Sequence, residues 1–412
     1  MYRSHTPRQQ IVKFIREGMI PIFVGGGIAF VGIQLVSGSE KFYKEVVMPL
    51  THKYLDGEKA HRLAVIACKY GLYPRCGQNL KEYDNLKTNV FGKEFNNPLG
   101  IAAGFDKNGE AIKGMKNMGW GFIEIGSVTP QQQEGNPKPR VFRLIEDRGI
   151  INRYGFNSDG LDAVLKRVKE AFNFKNQVPL GINLGKNKHQ TDAKVDYQLG
   201  MLAFSKYADY IVINISSPNT PGLRSLQSKD ELIKIITAVN EKRCQDNDKE
   251  TKLLLKVAPD LTTEDKRDIA NVITDKKYKI DGVIVSNTTI CRNFSLESEF
   301  KNETGGLSGA PLKDLSTKCI KEMYQLTKGS IPIIGSGGIE NGKDAYEKIK
   351  AGASLVQIYS AMVYQGFPVI GKIKRELSEL IEKDGFKSLS EVIGIDNVID
   401  NKCNIKKNWW FW

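Results

Sequence analysis

Leu99-Gly100-Ile101-Ala102-Ala103-Gly104-Phe105-Asp106-Lys107 is a short apolar run that breaks at a glycine and then turns charged. How it ends decides the fold. Seven more short apolar runs follow, each separated from the next by a helical stretch: Gly121–Ile125, Leu180–Leu184, Tyr210–Asn214, Leu253–Val257, Gly282–Ser286, Pro332–Gly335 and Ser354–Ile358. Strands that alternate with helices pair in parallel, so the choice lies between an open doubly wound sheet and a closed barrel. The open sheet wants a GxGxxG fingerprint where its first strand enters a helix, and Ala102 to Lys107 does not supply one. Gly335-Ser336-Gly337 begins such a fingerprint, but Glu340 stands where the third glycine belongs. Eight runs over this length therefore predict a (β/α)8 barrel of the TIM type.

In such a barrel the residues just past each strand share one face, so groups far apart in sequence become neighbours. That face collects Lys107, Ser127, Asn183, Asn214, Lys256, Asn287 and Ser360. After the seventh and eighth strands come Ser336-Gly337-Gly338 and Tyr359-Ser360, the place where barrels often hold phosphate through backbone N–H groups. A phosphorylated cofactor is expected there. Asparagine recurs at 152, 183, 214, 219 and 287; a primary amide both donates and accepts, which suits a ring with alternating N–H and C=O groups such as a pyrimidine. The densest stretch is Asn214-Ile215-Ser216-Ser217-Pro218-Asn219-Thr220-Pro221-Gly222-Leu223-Arg224. Its two prolines forbid a helix and Gly222 allows a bend, as in a loop that closes over a site. An ordinary turn has the same composition, so the surroundings carry the argument. A Ser-His-Asp hydrolase would be another use of Ser217, but there is no GxSxG and the barrel segment holds only His189.

Of the 412 residues 41% are apolar and 26% charged, which is globular and leaves room for an appendage beside one large domain. A net charge of +13 raises the question of nucleic acid, but lysine and arginine are interleaved with acids rather than blocked, so no nucleic-acid partner is expected. Cys68, Cys76, Cys244, Cys291, Cys319 and Cys403 form no CxxC pair and read as reduced thiols. The four histidines are scattered, so no metal site is expected. Residues 1–17 carry Arg3, Arg8, Lys13 and Arg16 with no acid before Glu17, like a mitochondrial targeting segment. From Gly18 to Ser39 no residue is charged, and as a helix this run would be about 30 Å long, enough to cross a bilayer once. Residues 40–72 hold two amphipathic patterns, one around Phe42, Val46, Val47 and Leu50, the other capped by Asp56 with Ala60, Leu63, Ala64 and Ala67 on one face. They either pack on the barrel or form a membrane-surface pair that admits a lipid-soluble substrate. Both readings stay open. The barrel domain spans 73–395, and the tail 396–412 ends in Lys406-Lys407-Asn408-Trp409-Trp410-Phe411-Trp412, a composition that fits either buried packing or a membrane interface.

Six stretches in order carry a resemblance: Ala103 to Lys107; Ile125-Gly126-Ser127-Val128-Thr129-Pro130; Asn152 to Asn157; Asn183-Leu184-Gly185-Lys186-Asn187; Asn214 to Arg224; and Gly305-Gly306-Leu307-Ser308-Gly309. Together they resemble the class 2 dihydroorotate dehydrogenases, the quinone-reducing FMN enzymes of pyrimidine biosynthesis, over about residues 40–395. His61-Arg62-Leu63-Ala64-Val65 is similar to the family's quinone-access region, and the eukaryotic members carry an inner-mitochondrial-membrane anchor like residues 18–39. The resemblance implies FMN contacts from Ala103, Ser127, Asn183, Asn214, Lys256, Ser286, Gly309, Gly338, Tyr359 and Ser360. Dihydroorotate or orotate is implied to lie against Lys107, Asn152, Arg153, Tyr154, Gly155, Phe156, Asn214, Asn219, Asn287 and Thr288, with Ser217 as the base. Ubiquinone and inner-membrane lipid are the implied partners. Position 286 departs from the threonine of animal members but keeps the hydroxyl. On this reading removal of residues 1–72 would abolish quinone turnover and spare the substrate half-reaction.

Overall fold

Eight parallel strands close into a barrel in chain order: β1 (Leu99–Ile101), β2 (Phe122–Val128), β3 (Leu180–Leu184), β4 (Tyr210–Asn214), β5 (Lys252–Val257), β6 (Gly282–Val285), β7 (Ile333–Ser336) and β8 (Leu355–Ile358). Each strand pairs with the next, and β8 pairs with β1 through Val356 and Leu99. The eight runs expected from sequence are these strands, differing only at their ends; β2, for example, continues past Ile125 to Val128. The computed structural model describes residues 7–74, 77–172, 178–243 and 251–397. Residues 1–6, the tail from 398 to Trp412, and Cys76, Cys244 and Cys403 lie outside the described residues.

Strand side chains alternate between two faces, and here both faces are buried. Ile211, Ile213, Leu253, Leu255, Val283 and Ile333 point outward into the layer shared with the helices. Phe122, Tyr210, Val212, Leu254, Ile284, Ile334 and Leu355 point inward and fill the barrel. Small residues make room for the large ones: a Cβ on Gly181 would lie 2.1 Å from the Tyr210 ring. Below this layer an antiparallel hairpin, Thr88–Val90 with Lys93–Phe95, plugs the barrel floor, and the Phe95 ring meets Phe122 edge-on at 5.8 Å. One step further along the inward register the character changes. Two residues past Phe122, Val212, Leu254, Ile284, Ile334 and Leu355 stand Glu124, Asn214, Lys256, Ser286, Ser336 and Gln357. The apolar plug thus gives way to a polar floor for whatever sits above it.

Two elements cover the mouth. A small antiparallel sheet of Val141–Leu144, Gly149–Asn152 and Gly306–Gly309 is one. The other is the N-terminal helical assembly. A continuous helix, α1, runs through Pro7–Phe14, a wider turn at Ile15–Met19, and Ile20–Ser37, with no buried residue described in its last two parts. Its stretch Gln10–Ser37 is long and apolar enough to cross a membrane. Gly38, in the left-handed region at φ 66°, ends α1, and Ser39 caps α2 (Glu40–Phe42, Tyr43–Val47 and Met48–Tyr54). The Asp56 carboxylate accepts from the Glu58 and Lys59 amides and starts α3 (Gly57–Lys69), as the sequence pattern led us to expect. α2 is held by Arg375, which donates to both Glu40 carboxylate oxygens at 2.7 and 3.2 Å. α3 is more deeply engaged: Val65 and Cys68 belong to the main core, and Gly114 lies so close that a Cβ there would strike the Cys68 carbonyl.

Candidate active site

A cavity of about 480 Å³ opens over the polar floor. Its barrel wall includes Ala103, Lys107, Ser127, Asn214, Lys256, Ser286, Asn287, Thr288, Gly338, Tyr359 and Ser360. The small sheet and its flanks add Asn152, Tyr154, Gly155, Phe156 and Gly309, and the loop after β4 adds Ser217 and Asn219. Of the residues singled out from sequence, two stand apart. Asn183 is fully buried behind the wall, where its Oδ1 accepts from Ser127 Oγ and from Asn214 Nδ2 (3.0 Å). It orients two wall residues. Arg153 turns away from the cavity, pairing with Glu303 at 2.5 Å and lying 4.5 Å over the Phe142 ring. Its backbone, not its guanidinium, continues the segment that carries Asn152 and Tyr154.

The floor is held by a carboxylate that sequence reading overlooked. Glu124, fully buried, accepts from Asn183 Nδ2 (3.0 Å), Tyr210 Oη (3.0 Å) and Gln357 Nε2 (2.7 Å). An acid inside an apolar run looks like an interruption, yet the period of two marks position 124 as inward. Lys256 is 6% exposed; burial lowers its pKa, and the Glu124 charge opposes that shift. Gln357 lines the cavity, and its Oε1 is buried with no hydrogen-bond partner among the described residues.

Around the loop after β4, neighbouring serines have different duties. Ser216 is fully buried; its Oγ donates to Asn214 Oδ1 and accepts from Asn287 Nδ2, both at 2.9 Å. Ser217 lines the cavity, and among the described residues its Oγ accepts only a long bond, from the Asn219 amide at 3.3 Å. Asn219 Nδ2 reaches across to the Asn152 carbonyl at 3.1 Å, which ties the loop to the small sheet. Arg224 clasps the other end, donating to the Ser216 and Thr288 carbonyls (3.1 and 2.9 Å) and pairing with Asp260 at 2.7 Å. Arg224 therefore shapes the loop from behind.

Lys107 approaches from β1, its Nζ 3.2 Å from the Tyr154 ring centroid and bonded to Asn157 Oδ1. Burial pushes its pKa well down and the nearby Arg140 charge adds to the effect, so the site stores an affinity for an anion. At the end of β7 the backbone needs glycine: Gly338 has φ 71°, and a Cβ there would lie 2.5 Å from Lys313 Cα. Gly309, at φ 90°, presses likewise on the Arg148 carbonyl. These bare, close-packed turns, a buried cation on β5 and an unpaired amide oxygen fit a flat, phosphorylated, redox-active group. The opposite half of the cavity is apolar and comes from α2 and α3: Val47, Met48, Ala60, Leu63, Ala64 and Ala67. His61 in that half bonds the Phe105 carbonyl through Nε2 at 2.6 Å, and burial lowers its pKa to about 4. Arg143 also lines it, with Nη1 buried and unpartnered among the described residues.

This arrangement has close counterparts. A family model described as dihydroorotate dehydrogenase matches residues 85–381. The mitochondrial dihydroorotate dehydrogenase (quinone) of Mus musculus is 50% identical over 382 residues, 91% of this chain and 96% of that protein. A dihydroorotate dehydrogenase (quinone) of Rhodospirillum rubrum is 49% identical over 83% of this chain and 92% of its own length. Among solved structures, DHODH from Eimeria tenella in complex with ferulenol is similar at a TM-score of 0.80 and 44% identity, covering 83% of this chain and 96% of that one. With the barrel, the polar floor and the two-sided cavity in place, these matches show that the chain belongs to the dihydroorotate dehydrogenase family, on its class 2, quinone-dependent branch.

Proposed function

We propose that this chain oxidises dihydroorotate to orotate at the barrel mouth, with FMN as hydride acceptor and a membrane quinone as final oxidant. The observation that carries the reading is the single cavity that joins polar strand ends to the apolar faces of α2 and α3. A water-soluble acid and a lipid-soluble oxidant need two such halves in contact. Oxidation removes a proton from the ring carbon α to a carbonyl and a hydride from the adjacent carbon. Ser217 takes the proton: the residue lines the cavity, is 8% exposed, and among the described residues its Oγ makes one hydrogen bond, a long one. Serine is a weak base, so the loop that carries it must exclude water and pass the proton outward. Lys107 holds the substrate carboxylate, and Asn152, Asn219 and Asn287 address the alternating N–H and C=O groups of the ring.

FMN, when bound, would supply the ring that accepts the hydride, and Gly309, Gly338 and Ser360 would hold its phosphate. Ala103, Ser127, Asn214, Ser286 and Tyr359 line its berth, and Asn183 steadies two of them. Lys256 supplies the positive charge that favours the reduced, anionic form. The quinone enters between α2 and α3, where the buried Arg143 Nη1 offers a donor for its carbonyl. α1 crosses the mitochondrial inner membrane once and lipid is the constant neighbour of α2, a reading supported by the apolar stretch Gln10–Ser37 and by relatives named mitochondrial. The direct test is the purified protein's flavin absorbance, followed by orotate formation from dihydroorotate with a quinone. Colourless protein, or yellow protein that forms no orotate, overturns the proposal.

A further inference from the structure

The cavity's two halves also meet through charge, by way of two residues with no role in the proposed reaction, Arg140 and Glu58. Arg140, 7% exposed, is fixed on every side: Nη2 and Nε donate to the two Glu58 oxygens at 2.8 and 3.1 Å, and Nη1 donates to the Glu134 and Asn136 carbonyls at 2.7 and 2.9 Å. Its guanidinium carbon lies 5.0 Å from the centroid of the Tyr154 ring, the same ring that Lys107 Nζ approaches to 3.2 Å. Tyr154 Oη in turn lies 3.4 Å from His61 Nδ1. Glu58 and His61 are one turn apart on α3, so that helix touches the Lys107 assembly twice. Two cations share one aromatic ring, and Glu58 is the anion that balances them.

We propose that Glu58 is a positioning residue for the substrate half of the reaction: by fixing and neutralising Arg140 it holds Tyr154 and keeps the Lys107 ammonium charged. α3 then serves both halves of the cavity. The inference rests on the reading of Lys107 as the partner of the substrate carboxylate. The groups that face Lys107 are Tyr154, Asn157, Arg140, Glu58 and His61. Arg140 adds to the burial that lowers the lysine's pKa, and Glu58 opposes both. Removing the Glu58 charge leaves Arg140 uncompensated, so Lys107 should release its proton at a lower pH and lose its hold on a carboxylate.

The test uses the full-length holoenzyme, with orotate affinity measured from pH 6 to 9 and anaerobic flavin reduction by dihydroorotate measured with no quinone present. Glu58→Gln should weaken orotate binding about tenfold near pH 8 and move the alkaline loss of affinity down by about one pH unit. The limiting rate of flavin reduction should stay within about twofold of wild type. Glu58→Asp, which keeps the charge, should restore most of the affinity. Lys138→Ala, which removes the exposed partner 3.3 Å from Glu58, should change nothing. An orotate pH profile in Glu58→Gln that matches wild type overturns the inference, and so does a fall in melting temperature with that profile unmoved. In a Lys107→Ala background Glu58→Gln should have no further effect; an undiminished effect there also overturns it. If Lys107→Ala alone leaves orotate affinity unchanged, the carboxylate reading is what fails, a result distinct from a silent Glu58→Gln in an enzyme that needs Lys107.

Discussion

Lys256 is a buried cation whose desolvation is opposed by the charge of one buried carboxylate, Glu124, an arrangement that costs stability and fits a site where negative charge develops. Lys256→Ala should therefore slow flavin reduction by dihydroorotate by ~10²-fold, read by anaerobic stopped flow, and a wild-type rate would remove its role. Ser217→Ala should lower that rate ~10²-fold or more with orotate binding and melting temperature kept. Ser216→Ala should act otherwise, since it removes the two 2.9 Å bonds to Asn287 Nδ2 and Asn214 Oδ1 and leaves only longer ones of 3.3 and 3.4 Å, and it should cost about 1–3 kcal/mol of stability by denaturant titration. If Ser216→Ala stopped flavin reduction in a fully stable protein while Ser217→Ala was silent, the base would be misassigned. In the sequence these two serines are indistinguishable neighbours. Position at a strand end located Asn214 and Lys256, because residues there share one face of a barrel. It could not say which way Arg153 turns off its backbone, or that Arg140 would fold back onto Tyr154, because those directions come from partners such as Glu303 and Glu58 that are remote in sequence.

All eight barrel strands were legible because each is a continuous buried run, and their order followed from the helices between them. The floor hairpin and the mouth sheet were not: several of their short strands mix Lys, Glu, Arg, Asn or Gly with the apolar residues, and no regular alternation with helices marks them. α2 and α3 were legible as helices, but whether they pack or admit a ligand was open; the contacts show that α3 packs on the core and that both helices line the cavity. That changes the expected result of removing residues 1–72. Because α3 supplies Val65 and Cys68 to the core and Glu58 to Arg140, the shortened protein should be destabilised and weakened in orotate affinity as well as in quinone turnover. A shortened protein with native stability and orotate affinity would contradict this. α3 should also respond to acid through His61. Its folded pKa of about 4 lies below the ordinary histidine value of 6.5, so its contribution is present above pH 6.5 and lost as pH falls toward 4. The loss is at most about 3 kcal/mol; in global unfolding Asp106, whose burial raises its pKa to about 6, offsets nearly all of it, so the acid response belongs to an opening of α3 that frees His61 while Asp106 stays bonded to the Glu110 and Ala111 amides. Amide exchange in 57–69 should therefore accelerate between pH 6.5 and 4, after correction for intrinsic rates, more than exchange in the barrel strands. Equal acceleration in both would exclude a local effect.

At the scale of the whole chain, α1 is separable in a way that α3 is not. It shows no buried residue from Ile15 to Ser37, and its described side-chain tie to α2 is Tyr43 Oη donating to the Leu35 carbonyl at 3.1 Å. Deleting residues 1–39 should yield soluble, yellow protein that turns over a short-chain quinone at close to the full-length rate; an aggregated or colourless product would mean α1 has a folding role. What α1 adds is confinement. Only Gly38 and Ser39 separate its end from the start of α2, a joint that spans at most ~7 Å of extended chain. With α1 in a bilayer, the cavity mouth stays within reach of a single leaflet, and enzyme and quinone meet on a surface instead of in a volume. Turnover should then follow the quinone's mole fraction among the lipids. Adding inert lipid at constant total quinone should slow the full-length protein while leaving the shortened one, supplied with a water-soluble quinone, indifferent.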